Sequence, residues 1–306
     1  MLYYFLPTVI MIGSMLVPFV VILWIRRLRK NRRSPLTAQL LRSPGEELSR
    51  QIDEINENID TNFTFLSFTP LMCYSVYLSI RIWGDGTTSW LYFALTCVLL
   101  MAYLSWKLAA GINIRENLRL GLDCERAVGQ ELNHLMLDGY RVFHDFPAEN
   151  FNIDHIVVGA TGVFAVETKG RSKLVKGDVK IVYDGQGVQF PTHYEREPVE
   201  QAKRQADWLS RWLTSAVGAQ VSTRPVLVYP GWFIERKKPG LLIYNGKNPQ
   251  AVFKIRAGEL LPAEMVQRIS HQLEQRCRNV DGLAYKKLTI REILSNDKPE
   301  TNKLKS

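Results

Sequence analysis

Cysteine and histidine are scarce in this sequence. Its 306 residues include four cysteines and five histidines, and no two cysteines have a Cys-x-x-Cys spacing. We therefore expect neither a disulfide framework nor a Cys/His zinc site. The composition, with 46% hydrophobic and 23% charged residues, also lacks the bias of a disordered, collagen-like or low-complexity chain. The length suffices for about two domains of ordinary size.

Charge is absent from three long segments of the chain. The first runs from Leu2 to Ile25, and two more cover Phe63–Ile80 and Trp90–Trp106. A helix of about 20 apolar residues crosses the hydrocarbon core of a bilayer. The sequence therefore predicts one transmembrane helix over 1–25 and a transmembrane hairpin of two helices over 63–110. A lipid bilayer is an expected partner of the chain.

The basic residues near the first apolar run indicate its orientation. They follow the run, from Arg26 to Arg33, and none precedes it. A cleaved signal peptide would have its basic residues before the apolar run. By the positive-inside rule the N-terminus lies outside and the C-terminal domain lies in the cytoplasm. Because the three runs contain no Asp, Glu or His, we interpret them as an anchor rather than a transport path.

Residues 26–62 form a basic linker followed by a predicted amphipathic helix. Ser43 is suited to the N-cap, Pro44 to the first helical position, and Glu46 completes a capping box. An apolar stripe follows at helical spacing, formed by Leu48, Ile52, Ile55 and Ile59. We expect this helix to lie on the membrane or on the soluble domain. A homo-oligomer that pairs copies through 46–61 is the alternative left open.

The remaining sequence alternates helical and strand patterns. It predicts a helix at 114–138, strands at 141–145, 153–158 and 162–169, a hairpin at 181–190, a helix at 198–217 and a strand at 225–229. This order is typical of a mixed α/β fold in which helices cover a sheet. We assign residues 231–295 to a C-terminal extension with a helix near 263–278, and 296–306 to a disordered tail.

Charged residues interrupt the predicted core strands at Asp154, Glu167 and Lys169. The tight turn at 159–162 makes the two strands antiparallel neighbours, so Asp154 and Glu167 converge at one end of the sheet. Two close carboxylates raise each other's pKa, and a divalent cation between them removes that cost. Oxygen ligands of this kind suit Mg²⁺.

Each predicted helix adds a polar group to this region. Glu125 shares a stripe with Val128 and Leu132, which places it on the core-facing side of the first helix. Gln201 lies near the start of the second helix. His155 follows Asp154 directly, and strand alternation turns it to the opposite face, so we expect a structural role for it.

These residues together resemble the nuclease-related domain (NERD), a family of the PD-(D/E)xK phosphodiesterase superfamily. The resemblance covers about 118–229 and rests on Glu125, Asp154-His155, Glu167-x-Lys169 and Gln201-Ala202. It implies a restriction-endonuclease-like fold over 111–230. Two positions depart from the family's usual pattern: Cys124 replaces a Gly, and Gly170 stands where Asn is frequent.

The resemblance also implies a metal site. In it, Asp154, Glu167 and the backbone carbonyl of Thr168 would bind Mg²⁺, for which Mn²⁺ could substitute. Glu125 would hold a metal-bound water or a second metal. The metal would polarise the phosphate and lower the pKa of an attacking water.

Lys169 and Gln201 complete the implied catalytic set. Lys169 would orient the water or stabilise charge on the phosphoryl oxygens. Gln201 would position the lysine or the nucleic-acid backbone.

The resulting expectation is a membrane-anchored, metal-dependent nuclease at the cytoplasmic face of a bacterial inner membrane. Its expected substrate is nucleic acid, and in the first place DNA. The alternative is a catalytically silent nucleic-acid-binding or scaffold module on the same fold, tethered to the membrane.

Overall fold

The chain forms two compact units. The computed structural model describes residues 13, 16–17, 20–25, 27, 35–36, 38–83, 89–255 and 258–282. One unit consists of 1–40, 60–109 and 281–306, and the other of 41–59 and 110–280. The predicted first span at 1–25 and the basic linker at 26–33 lie largely outside the described residues, and the tail at 296–306 lies wholly outside them.

Two long helices continue beyond the limits of the predicted apolar spans. They are α1, Glu46–Trp83, and α2, Trp90–Asn133. The separate helices predicted on either side of 62 and of 111 are therefore wrong, since each pair is one continuous helix. No proline stands at either junction, and each residue added to an existing helix gains a hydrogen bond without a new nucleation cost.

Two of the described helices could span a membrane. Both α1 and α2 are long and apolar enough to cross a membrane, judged by length and composition. Three transmembrane helices are not confirmed, because the first predicted span falls mainly outside the described residues.

The beginning of α1 packs within its own unit. The Ser43 hydroxyl contacts the Glu46 carboxylate at 2.5 Å, and the helix starts at Glu46, two residues later than the capping pattern predicts. Ile52 is buried, and Leu48 lies against Gly121 of α2. This packing matches a helix that lies on the soluble domain. Pairing of copies through 46–61 stays a prediction.

A five-stranded mixed sheet forms the centre of the larger unit. Its strands are β2 (Arg141–Pro147), β3 (Asn152–Gly159), β4 (Gly162–Thr168), β8 (Thr223–Val228) and β10 (Leu242–Tyr244). They are ordered β10-β8-β4-β3-β2. β2, β3 and β4 are antiparallel neighbours, whereas β8 is parallel to both β4 and β10.

Helices cover both faces of this sheet, as the sequence predicts for the α/β domain. α3 (Glu197–Val217) and α5 (Ala263–Cys277) pack on one face, where Leu209 and Leu273 meet Ile156. The end of α2 covers the other face, where Val128 and Leu132 pack near Val166. A short 3₁₀ helix, His134–Asp138, leads from α2 into β2.

A second, four-stranded sheet and a two-stranded ribbon complete the described part of the fold. The second sheet contains β5 (Lys180–Tyr183), β6 (Val188–Gln189), β7 (Tyr194–Glu195) and β9 (Phe233–Arg236). β1 (Leu40–Leu41) and β11 (Arg278–Val280) form the ribbon, and α4 (Gln250–Phe253) follows β10. Residues after 230 thus contribute one strand to each of the two larger sheets, β9 to the second sheet and β10 to the main sheet.

A buried aspartate connects the start of α1 to β2. Asp145 is 3% exposed and adopts a left-handed backbone conformation with φ of 48°, which Asp tolerates better than most residues. Its Oδ2 accepts hydrogen bonds from the Arg42 guanidinium at 2.5 and 3.0 Å and from the Glu47 backbone N–H at 2.8 Å. Its Oδ1 accepts one from Asn152 at 2.9 Å. Asp145 therefore satisfies a cation and a helix N-terminus together.

We predict that Asp145→Ala destabilises the protein by about 3–5 kcal/mol, because it leaves the Arg42 charge buried without its partner. Thermal unfolding of the full chain in detergent, followed by tryptophan fluorescence, measures this. Asp138→Ala is the matched control, since Asp138 pairs with Lys254 at a more exposed position and should cost at most about 1 kcal/mol. Equal and small shifts for both variants would contradict the prediction.

Candidate active site

Three acidic residues occupy one level of the main sheet. The register pairs His144 with His155 and His155 with Val166. One residue further from the β3–β4 turn, Asp154 on β3 lies opposite Glu167 on β4. Asp145, on the neighbouring strand β2, lies beside Asp154. The structure thus brings Asp154 and Glu167 together at the end of the β3–β4 hairpin.

Glu167 has one paired and one unpaired carboxylate oxygen. The residue is 2% exposed, and its Oε1 lies 2.6 Å from Lys169 Nζ. Its Oε2 is buried and has no hydrogen-bond partner. An unsatisfied buried carboxylate oxygen is costly. A cation bound to that oxygen would remove the cost.

Asp154 is held by the neighbouring strand. Its Oδ2 accepts a hydrogen bond from the Thr168 backbone N–H at 2.7 Å. Burial raises the pKa of Asp154 well above its usual range, and the charges of Glu167 and Glu125 raise it further. The hydrogen bond from Thr168 and the charge of Lys169 act in the opposite direction and do not outweigh these effects.

Glu125 belongs to the same electrostatic cluster. It projects from α2, and burial together with the charges of Asp145 and Glu167 raises its pKa to about 8, against a partial offset by Lys169. The helical stripe therefore placed Glu125 on the correct side of α2. Glu125, Asp154 and Glu167 form an acidic cluster in which Lys169 is the one cation, among the described residues, that offsets the raised pKa values. Such a cluster favours a further positive charge.

The donor set fits a hard divalent cation. Asp154 and Glu167 offer carboxylate oxygens on adjacent strands, and the unpaired Glu167 oxygen needs a partner. Within the described ranges, no three His, Cys, Asp or Glu side chains are grouped closely enough to hold a metal by themselves. Mg²⁺ binds proteins through one or two carboxylates and keeps water or phosphate ligands, so Asp154 and Glu167 are the residues that could hold it.

Gln201 lies on α3 and lines a cleft. It is half-buried, and the cleft, of about 500 Å³, is also lined by Phe151 and Trp208. Among the described residues no hydrogen bond joins its side chain to Lys169, so the role expected for Gln201 stays a prediction. One turn later, the buried Gln205 donates to the Asn152 carbonyl at 3.3 Å and so connects α3 to β3.

Two histidines occupy the other face of the sheet. His144 and His155 approach at 2.9 Å between their Nδ1 atoms, and His144 Nε2 lies 3.1 Å from Asn133 Oδ1. Burial lowers the pKa of His144 to about 4 and that of His155 well below its usual range. His155 thus faces α2 as a neutral, packed side chain, the side that strand alternation predicts.

Cys124 and Gly170 lie against each other. A Cβ on Gly170 would lie 3.0 Å from Cys124 Sγ and 3.2 Å from the Leu120 carbonyl oxygen. Cys124 therefore fills the space that a side chain at 170 would occupy. Burial raises the pKa of the Cys124 thiol, as do the nearby charges of Asp123 and Glu125, so the thiol is a packing group.

Some residues around the site were missed by the sequence reasoning. The position of the Asp145 side chain depends on a left-handed backbone conformation, which hydrophobic periodicity does not predict. Arg171 continues the spacing of two that connects Glu167 with Lys169, and that spacing could have identified it. Its partner, Glu195, lies 24 positions further on and has no such signal.

We predict that stability without metal falls as pH rises from about 4.5 to about 8. In this window the folded state binds more protons than the unfolded state, because the pKa of Glu125 is raised on folding. Glu125→Gln should make the decline shallower in thermal unfolding of the full chain with a chelator. Glu116→Gln, at an exposed position on the same helix, is the control and should retain the wild-type slope. A Glu125→Gln profile parallel to wild type would refute the assignment.

We also predict energetic coupling between positions 124 and 170. Gly170→Asn alone should destabilise by about 1–3 kcal/mol through overpacking. The double variant with Cys124→Gly should recover part of that loss beyond the sum of the single effects, by about 1 kcal/mol. A double-mutant cycle of unfolding free energies tests this. Strict additivity would show that the two positions are independent.

Comparison with known families identifies the domain that contains these residues. Residues 120–230 match the model of the family described as "Nuclease-related domain", NERD. No curated protein and no solved structure matches the chain. The matched range contains β2–β8 and α3. It also contains the three residues of the acidic cluster, Glu125, Asp154 and Glu167. The chain therefore carries a nuclease-related domain at residues 120–230.

Proposed function

We propose that the chain is a membrane-anchored, Mg²⁺-dependent nuclease that hydrolyses phosphodiester bonds of nucleic acid, in the first place DNA. The observation that carries the proposal is the unpaired, buried Glu167 oxygen beside Asp154 and Lys169 in a nuclease-related domain. A structural ion pair between Glu167 and Lys169 would not account for the two further carboxylates nearby, those of Asp154 and Glu125.

In this proposal the carboxylates of Asp154 and Glu167 hold Mg²⁺, or Mn²⁺ in its place, and the Thr168 carbonyl is a further ligand. When bound, the metal polarises the phosphate and lowers the pKa of water. Glu125 binds a water molecule beside these carboxylates or a second metal. Its pKa of about 8 means that it carries a proton at neutral pH until a cation binds.

Lys169 and Gln201 act on the nucleic acid. Lys169 directs its ammonium group, 2.6 Å from Glu167, towards charge that develops on the phosphoryl oxygens. Gln201 contacts the nucleic-acid backbone from the cleft on α3.

We further propose that the chain is anchored in the inner membrane of a bacterium. The two apolar helices α1 and α2 support the anchor. In this arrangement residues 1–25 form a third span with the N-terminus outside, and the domain at 111–230 with its extension at 231–295 lies in the cytoplasm.

The test is cleavage by the full chain purified in detergent. Plasmid, linear duplex, single-stranded DNA and RNA are incubated with Mg²⁺ or with a chelator. We expect Mg²⁺-dependent cleavage of at least one substrate. Asp154→Asn and Lys169→Met should each lower the rate about 100-fold or more, while Asp138→Asn should retain it. Unfolding temperatures confirm that each variant is folded.

The alternative is a catalytically silent nucleic-acid-binding or scaffold module. The lack of a third side-chain metal ligand among the described residues favours it. No cleavage of any substrate, with metal-independent nucleic-acid binding retained in Asp154→Asn, would replace the nuclease proposal with this one.

A further inference from the structure

Arg171 follows the proposed catalytic lysine by two residues. Its Nε and Nη2 bind the two carboxylate oxygens of Glu195 at 2.7 and 3.1 Å, and its Nη1 donates to the Gly170 carbonyl at 3.1 Å. A guanidinium carries five N–H donors, so two remain for a ligand. The Arg171 side chain is 35% exposed, so an incoming group can reach it.

Glu195 is fixed from several sides. Its Oε1 lies 2.9 Å from His193 Nε2, and its Oε2 accepts a hydrogen bond from the Tyr229 hydroxyl at 3.3 Å. Burial raises the pKa of Glu195, but the hydrogen bonds from Arg171 and His193 outweigh it and leave the pKa below its usual value. Glu195 therefore remains a carboxylate that holds Arg171 in one orientation.

Tyr229 connects Glu195 with the strand that neighbours Lys169. Tyr229 directly follows Val228, whose carbonyl accepts the Lys169 backbone N–H at 2.8 Å. Burial raises the pKa of Tyr229, and the charges of both Glu195 and Glu167 contribute. The Arg171 carbonyl accepts a hydrogen bond from Trp232 Nε1 at 3.2 Å, which fixes the backbone there.

A contribution to stability does not by itself explain the contacts that hold Arg171 and Glu195. Solvent screens an ion pair whose arginine is one-third exposed, which reduces its contribution to stability. A cluster of Asp154, Glu167 and Glu125 repels a polyanionic substrate, and Lys169 is already paired with Glu167. A second cation with unused donors beside this cluster supplies the attraction that the substrate needs.

We propose that Arg171 binds a phosphate oxygen of the nucleic-acid backbone next to the acidic cluster, and that Glu195 and Tyr229 position it. The inference rests on the proposed function, since it takes the substrate to be nucleic acid. The planar fork of arginine matches a phosphate through two parallel hydrogen bonds.

The experiment measures binding rather than cleavage. The full chain in detergent, with a chelator present, is titrated against a fluorescein-labelled DNA oligonucleotide between 50 and 200 mM salt. Arg171→Gln should weaken binding about tenfold and reduce the salt slope by about 0.9, the value for one lost phosphate contact. Arg171→Lys should keep the slope with intermediate affinity, because it retains the charge but not the fork.

The control is Arg141→Gln, which removes an equal charge at the exposed start of β2, the opposite end of that strand from Asp145. It should leave both affinity and slope unchanged. A merely structural Arg171 would alter the unfolding temperature and leave the slope at the wild-type value, which would overturn the inference. If the wild type binds and cleaves while Arg171→Gln matches it, only this inference fails. If the wild type neither binds nor cleaves, the proposed function fails with it.

Discussion

Repulsion among buried and half-buried carboxylates is the constraint on which the rest of the site depends. Glu125, Asp154 and Glu167 come from α2, β3 and β4. Burial and the charges of Asp145 and Glu167 raise the pKa of Glu125 to about 8, and burial and the charges of Glu167 and Glu125 raise that of Asp154 well above its usual range. Lys169 offsets this only in part, because it pairs with one Glu167 oxygen and leaves the other without a partner. Such an arrangement is costly in isolation and becomes favourable when a cation binds. The fold keeps the carboxylates close despite that cost because each is fixed by a separate element of the sheet or its covering helix.

The surroundings of the cluster compensate neighbouring charges in part. Asp145 stands on the same level of the sheet and pairs with Arg42 and the first turn of α1, although its charge still raises the pKa of Glu125. Arg171 and Glu195 form a second pair, and Arg171 follows Lys169 by two residues. The acidic cluster is thus the part of this region in which compensation is least complete. That incompleteness separates a candidate metal site from the structural ion pairs around it.

The sequence predicted the local part of this arrangement well. Asp154 and Glu167 converge because a tight turn joins their strands, and Glu125 faces inward because it shares a helical stripe with Val128. Long-range contacts had no comparable signal. Asp145 contacts Arg42 across 103 positions through a left-handed backbone, and Cys124 fills the space beside Gly170 only once α2 lies over the end of β4. The spacing from Pro198 placed Gln201 near the start of α3 but could not show that its side chain lines a cleft with Phe151 and Trp208.

The proposed function depends on a divalent-cation site formed by Asp154 and Glu167. Calorimetric titration of Mn²⁺ into the metal-free full chain in detergent at pH 8 tests it most directly, with Glu167→Gln as the altered protein and Asp138→Asn as the matched control. We predict saturable binding by the wild type and by Asp138→Asn, and its loss in Glu167→Gln while that variant remains folded. Absence of binding by the wild type, or equal binding by Glu167→Gln, would contradict the account.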